Sequence, residues 1–423
     1  MKGKRIKKIY WILAMAGIIV SGGFLTAYAA TYYQVNYGAT VTINEWSTCR
    51  KVTNSSATGL ALFVPTNTQS EWDTFRGALP SGVTLSSCTV WYNSSWTYRK
   101  KITIDGTKVG STESNFPVLV NLSSDSDLAA RARTDGYDIL FTDTDKTTKL
   151  DHEIEVYTSS TGALTAWVEV PTVTSGTSKD IYMYYGYSSA SNQQNTSGGV
   201  WDSNYKAVWH STTDDTTANN HDSTISGTIS QSTTAKIGKS ADITNATSYM
   251  TAADSADWDF GTGSFTISFW TNFSSLPTLN NAANLIRREK TGGGYIIRFA
   301  NRNSSGTYNF AVYIGGTDYN STGSLYNWSP STGTWYYLTL VRDGTNLKVF
   351  NGETQLSSTQ TSSSNMTDST PFLIGTSAES VYGYMDETRV SNSARSSGYM
   401  GTSYKNQNSP STFYALAAQE TYQ

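Results

Sequence analysis

Residues 261–270 read GTGSFTISFW, and three segments follow in order: GTWYYLTLVRDG (333–344), LKVFNGE (347–353) and GYMDETRVS (383–391). In the first, Phe265, Ile267 and Phe269 fall on one face of an extended chain and Thr266 and Ser268 on the other, the period of a half-buried strand. Residues 308–314 repeat it, with Tyr308, Phe310, Val312 and Ile314 against Asn309 and Ala311. Between such runs lie Gly, Asn, Asp and Ser clusters such as GGTDYNSTGS (315–324), which supply positive φ and side-chain-closed turns. The reading is all-β. The longest helix expected is at 68–79, where Thr68 and Glu71 have capping-box spacing and Trp72, Phe75 and Leu79 recur at helical intervals until Pro80.

The chain has 423 residues, more than one ordinary core organises, so two or three domains are expected. Only 15% of residues are charged while Tyr and Trp number 28 and 12, a profile that excludes disorder and fits an extracellular β-protein. Lys2, Lys4, Arg5, Lys7 and Lys8 precede an apolar run from Ile9 to Leu25, and Ala27-Tyr28-Ala29 offers small residues for a peptidase. Residues 1–29 therefore read as a signal peptide cleaved near Ala29 or Ala30. An uncleaved membrane anchor is the competing reading, and either places the remainder outside the cell. Removal of those five cations takes the net charge from −3 to −8, thinly spread, with no basic stripe for nucleic acid. Cys49 and Cys88 are the two cysteines, and in an oxidising compartment they most simply pair, a loop worth about 3–4 kcal/mol on the chain-entropy argument.

Three modules follow the signal. Residues 30–91 form a small module stapled by that disulfide. Residues 95–187 carry WTYRKKITI, FPVLVNL, GYDILFTD, LDHEIEVY, LTAWVEVP and DIYMYYG, in which Phe116, Val118, Val120 and Leu122 share a face, as in a small β-sandwich. The polar stretch at 188–199 reads as a flexible linker. Residues 200–423 form the third module, which opens with AVWHS (207–211) and in which Phe413 to Ala417 is expected to return as a closing strand beside that first one.

The ordered series from Gly261 to Ser391 resembles the laminin-G-like, concanavalin A-like jelly rolls of secreted bacterial proteins. The strings of residues 95–187 resemble a bacterial cell-surface domain of unknown function whose members commonly precede such a module. The resemblance implies a recognition sandwich that binds carbohydrate or a surface protein. It also implies a structural calcium ion, with Asp222 (in NNHDST) and Asp386 (in GYMDETRV) as the metal positions. For Asp386 the alternative is an ordinary buried pairing of Asp386 or Glu387 with Arg389 or Arg342.

Ligand contact belongs to loops, where aromatic faces stack on sugar rings and amides bond hydroxyls. Tyr319, Tyr326, Asn327 and Trp328 make the richest such group, whereas Trp258 reads as packing. The one catalytic alternative is LDHEIEVY: Asp151, Glu153 and Glu155 alternate along a strand, with neighbouring carboxylates about 6.5–7 Å apart, near the lower limit for an inverting glycosidase pair. Against it, Leu150, Ile154 and Val156 would form the buried face with His152, leaving the three acids solvated. The histidines are few (His152, His210 and His221) and no metalloprotease or nucleotide motif occurs. The expectation is adhesion without catalysis; a glycan hydrolase using the acidic strand and a structural envelope or appendage subunit are the alternatives.

Overall fold

A computed structural model describes residues 30–35, 39–45, 48–54, 60–65, 81–87, 91–195, 197–211, 213–244, 247–278, 281–289, 293–301, 308–318, 328–356, 358–376 and 382–422. They fall in two compact units, Met1–Val90 and Trp91–Gln423. In the first, Ala30–Val35 pairs with Leu60–Pro65, and Thr48–Asn54 lies between Ala39–Glu45 and Val83–Ser87. The register sets Arg50 opposite Ser87, the residues adjoining Cys49 and Cys88 in sequence. Cys88, the leader at 1–29 and the helix expected at 68–79 lie outside the described residues.

The second unit holds two sandwiches. In the first, a three-stranded sheet (His152–Thr158, Ala163–Val173, Glu113–Leu122) shares a core with a six-stranded one built around Tyr98–Ile104 and Lys179–Tyr185. Ala166, Val168 and Val170 join that core with Ile102, Phe141 and Met183. Trp167, on the opposite face of its strand, meets Trp201, His210 and Arg389 instead.

The second sandwich joins a nine-stranded sheet, in which Gly383–Ser391, Phe265–Phe273 and Trp335–Asp343 are adjacent, to a seven-stranded sheet containing Ala282–Arg288, Tyr295–Asn301 and Tyr308–Ile314. Phe265, Ile267, Phe269, Leu340 and Val390 pack against Leu285, Ile297, Phe310 and Phe372. That is the face the alternation predicts. The opposite face differs: Thr266, Ser268, Trp270 and Asn272 are also buried, so the strand is covered on both sides.

Part of that cover is a helix with no helical signature, Ser397–Asn408, capped by Ser396 through the amide of Tyr399. Its buried positions include Thr402, Ser403, Asn406 and Gln407, so polarity gives no stripe to detect. Gln407 accepts from the Trp270 indole at 2.7 Å. Asn406 presents its amide to Leu119 like another strand, accepting from its N–H at 2.6 Å and donating to its carbonyl at 3.0 Å. This closes an edge of the three-stranded sheet and ties the two sandwiches together.

Two boundary expectations change. Tyr414–Leu416 does not return beside the strand Tyr205–Trp209; it pairs with Tyr98–Ile104 of the preceding sandwich, and Glu420–Thr421 pairs with the other end of that strand. The strand Tyr205–Trp209 pairs with Gly383–Ser391. The connector at 188–199 is held along the acidic strand, because Asn195 donates to the His152 carbonyl and the Gln194 side chain accepts from the Ile154 amide. The first sandwich is therefore completed by chain from beyond the boundary.

Candidate functional site

The acidic strand does not present its acids to water. His152 is fully buried and bonded through Nε2 to the Ile139 carbonyl at 3.0 Å, and burial lowers its pKa to about 4. Glu153 and Glu155, however, point into the junction between the sandwiches, their side chains 13% and 7% exposed. This corrects the expectation that they are solvated. The covering surface comes from a second domain, which alternation along one strand cannot reveal. Asp151 stays apart from them, its carbonyl accepting from the Glu169 amide.

Facing them are His210, one residue past the strand Tyr205–Trp209, and Glu387 from Gly383–Ser391. The imidazole bridges two carboxylates, with Nε2 2.9 Å from Glu153 Oε1 and Nδ1 2.7 Å from Glu387 Oε1. Arg389 donates to Glu387 Oε2 at 2.6 Å and lies over Trp167 and Trp201 at 4.3 and 4.7 Å. Glu155 Oε2 is 3.9 Å from His210 Nδ1. The indole N–H of Trp167 lies close enough to favour the Glu155 carboxylate slightly, yet neither that N–H nor Oε2 makes a hydrogen bond.

Both glutamates sit where the strand ladder is interrupted. The register of the acidic strand slips between Ile154 and Val156, so Glu155 is the extra residue of a bulge. In Gly383–Ser391 the partners of Trp270 and Ser268 are Asp386 and Arg389, which leaves Glu387 and Thr388 opposite a single residue. There Glu387 has φ of 53°, a left-handed conformation uncommon for a non-glycine residue. Bulges re-aim side chains, so the adjacent Asp386 and Glu387 are both buried. Gly238 is also required, because a Cβ at its φ of 45° would collide with the Glu155 carboxylate.

The charges shift one another. Burial opposes the imidazolium of His210, but Glu387 and Glu153 outweigh it and hold its pKa well above the usual 6.5. Burial, with repulsion from Glu387, raises Glu155 to about 7, and burial with repulsion from Glu387 and Glu155 raises Asp386 well above 3.8. Glu387 moves down despite its burial because His210 and Arg389 face it. Linkage then fixes the direction: from about pH 4.5 to 7 the native Glu155 holds a proton the unfolded chain has lost, and above about 6.5 native His210 does the same. Stability in EDTA is therefore expected to fall from pH 5 to pH 8, read as a lower urea midpoint. A higher midpoint at pH 8 would refute the charge assignment.

The two expected metal positions sit in different surroundings. Asp222 is exposed and accepts from the Asp215 amide, whereas Asp386 is 1% exposed and accepts from the amides of Lys236 and Ile237. The two carboxylates are thus held by different backbone amides. The Asp386 alternative is met by its neighbour: Glu387 pairs with Arg389, while Arg342 bonds backbone carbonyls of Gly263, Ser364 and Gly261. Trp328 is half-buried and packs edge-on to Tyr336 at 4.8 Å and near Phe273 and Phe310. Tyr319, Tyr326 and Asn327 lie outside the described residues. His210 and Glu387 had one legible signal, an Asp-Glu-x-Arg run inside an otherwise strand-like segment. Nothing local linked it to LDHEIEVY.

Comparison with known proteins gives this architecture its class. Residues 244–398 match the concanavalin A-like lectin/glucanases superfamily (Laminin_G_3), and residues 135–224 match a domain of unknown function, DUF2341. The chain thus carries a laminin-G-like domain preceded by a DUF2341 domain, and the cluster draws Glu153, Glu155 and His210 from the second match and Glu387 from the first. No curated protein matches the chain. Among solved structures, domain 4 of AbnA, a GH43 extracellular arabinanase from Geobacillus stearothermophilus solved with arabinotriose, is 19% identical. It covers 47% of this chain and 96% of that one at a TM-score of 0.38. The binding domain of Paraclostridial Mosquitocidal Protein 1 is 13% identical over 48% of this chain and 52% of its own, at 0.39. The receptor binding domain of a botulinum neurotoxin C/D mosaic serotype is 12% identical over 48% and 51%, also at 0.39.

Proposed function

We propose that the chain is a secreted or cell-surface recognition protein without catalytic activity, whose laminin-G-like sandwich binds a glycan or a surface protein. The observation that carries this reading is the His210 imidazole lying between Glu153 and Glu387, at 2.9 and 2.7 Å. A glycosidase needs its carboxylates about 5–9.5 Å apart with the scissile bond between them. Here that space holds a protein side chain, roofed by Trp167 and Trp201. The acids act as an internal joint, and recognition falls to loops of the jelly roll. Tyr319, Tyr326 and Asn327 are the proposed contacts, with Trp328 as the packed base of their loop. Export by residues 1–29 and a Cys49–Cys88 disulfide belong to the same reading.

The test uses the whole chain, since the first sandwich takes strands from beyond the boundary. On a glycan array and on cells, saturable binding is expected, weakened about tenfold or more by Tyr326→Ala, the loss of one stacked aromatic contact. Absence of binding to glycans, cells and matrix proteins would remove the proposal. Release of reducing ends from polysaccharide, abolished by Glu153→Gln, would reinstate the hydrolase.

A further inference from the structure

We propose that Glu155, His210 and Glu387 bind one divalent metal ion of the zinc class, which staples the DUF2341 sandwich to the laminin-G-like sandwich. Their facing atoms, one from each residue, all lie within 4.8 Å of one another. Each residue is held from behind by a different group. Glu155 Oε1 accepts from the Lys239 amide at 3.3 Å, His210 Nε2 faces Glu153, and Glu387 Oε2 takes the Arg389 guanidinium. What remains pointing inward is Glu155 Oε2, His210 Nδ1 and Glu387 Oε1.

The Glu153 contact is the outer arrangement that metal-bound histidines use: a carboxylate takes the N–H of one ring nitrogen and so aims the other at the metal. Independent of the cluster's charge are its orphan oxygens. Glu155 Oε2 has no hydrogen-bond partner although its side chain is 7% exposed, and neither does Asp386 Oδ1 at 1% exposure. A buried polar atom without a partner is costly, more so when it is charged, so the Glu155 oxygen beside the imidazole needs an explanation. The left-handed Glu387 adds a backbone strain that a ligand role accounts for.

Donor chemistry selects the ion. One imidazole with two carboxylates suits zinc or a similar borderline cation, whereas calcium takes six to eight oxygens and no nitrogen. Binding replaces the Nδ1 proton of His210, and any proton on Glu155, with the cation; the proton on Nε2 stays with Glu153. The +2 charge then balances the two ligand carboxylates. Because Glu155 belongs to one sandwich and His210 and Glu387 to the other, the ion is captured as they dock.

The purified full chain, stripped with a chelator and then titrated with Zn2+, is expected to retain about one equivalent after desalting and to melt at a higher temperature. Glu155→Gln, which removes an inward oxygen but leaves the Glu153–His210–Glu387–Arg389 contacts in place, should lose both. Glu153→Gln should weaken affinity about 10–100-fold, and Ca2+ at the same concentration should do neither. Retention of no zinc, or the same zinc and the same shift in Glu155→Gln, would overturn the site. The Glu155 variant decides the matter even if His210→Ala does not fold.

Discussion

Glu387→Gln is expected to destabilise the second unit by about 3–5 kcal/mol, the penalty for leaving a buried charge without its partner. The substitution keeps the shape and removes one charge. Arg389 and the His210 imidazolium both donate to the native carboxylate, at 2.6 and 2.7 Å, one to each oxygen. A glutamine offers one acceptor, so its NH2 must face one of those donors. His210 also loses the largest of the charges that hold its proton. Urea unfolding in EDTA at pH 6 is the measurement, with Glu155→Gln as the comparison: below pH 7 that acid is already largely protonated, so its change is expected to stay under about 1 kcal/mol. A loss under 1 kcal/mol for Glu387→Gln would show that the ion pair is not what stabilises the junction.

Deletion of residues 414–423 is expected to cost about 5 kcal/mol or more, although the segment is short. It removes the pairing along one edge of Tyr98–Ile104, including the bonds from the Ala417 amide to the Lys101 carbonyl and from the Tyr422 amide to the Thr97 carbonyl. Tyr414 is 5% exposed and donates to the Asn121 carbonyl, so about 2 kcal/mol of apolar burial is lost with its ring. Arg99, at 2% exposure, loses Glu420, its carboxylate partner. Limited proteolysis should cut the truncated chain much faster near the exposed edge of Tyr98–Ile104. Equal protease resistance and an unchanged urea midpoint would mean that the crossing strands contribute little.

Legibility followed the range of the forces involved. The strand Phe265–Phe273 was readable because its apolar face recurs every second residue, and local geometry alone forces that. Its second face was misread, since Thr266, Ser268 and Asn272 look solvated until a helix covers them. The helix Ser397–Asn408 left no stripe because it docks through Asn406, Gln407 and Thr402, whose hydrogen bonds depend on residues more than a hundred positions away. The cluster is the same case: Glu153 and His210 are 57 residues apart, and His210 and Glu387 are 177 apart.

The sequence by itself determined an all-β chain, the order of a DUF2341 domain and a laminin-G-like domain, and the apolar residues of each core. The all-β character and the core faces follow from side-chain periodicity and turn chemistry, which act between neighbours, whereas the order of the two domains is carried by the resemblance of their motifs to known families. Only the tertiary structure decided that Tyr414–Leu416 crosses back to Tyr98–Ile104 and that Glu153, Glu155, His210 and Glu387 meet out of water. An acid on a strand face is solvated or buried according to what packs on that face, and the packing partner here is supplied by a distant part of the chain.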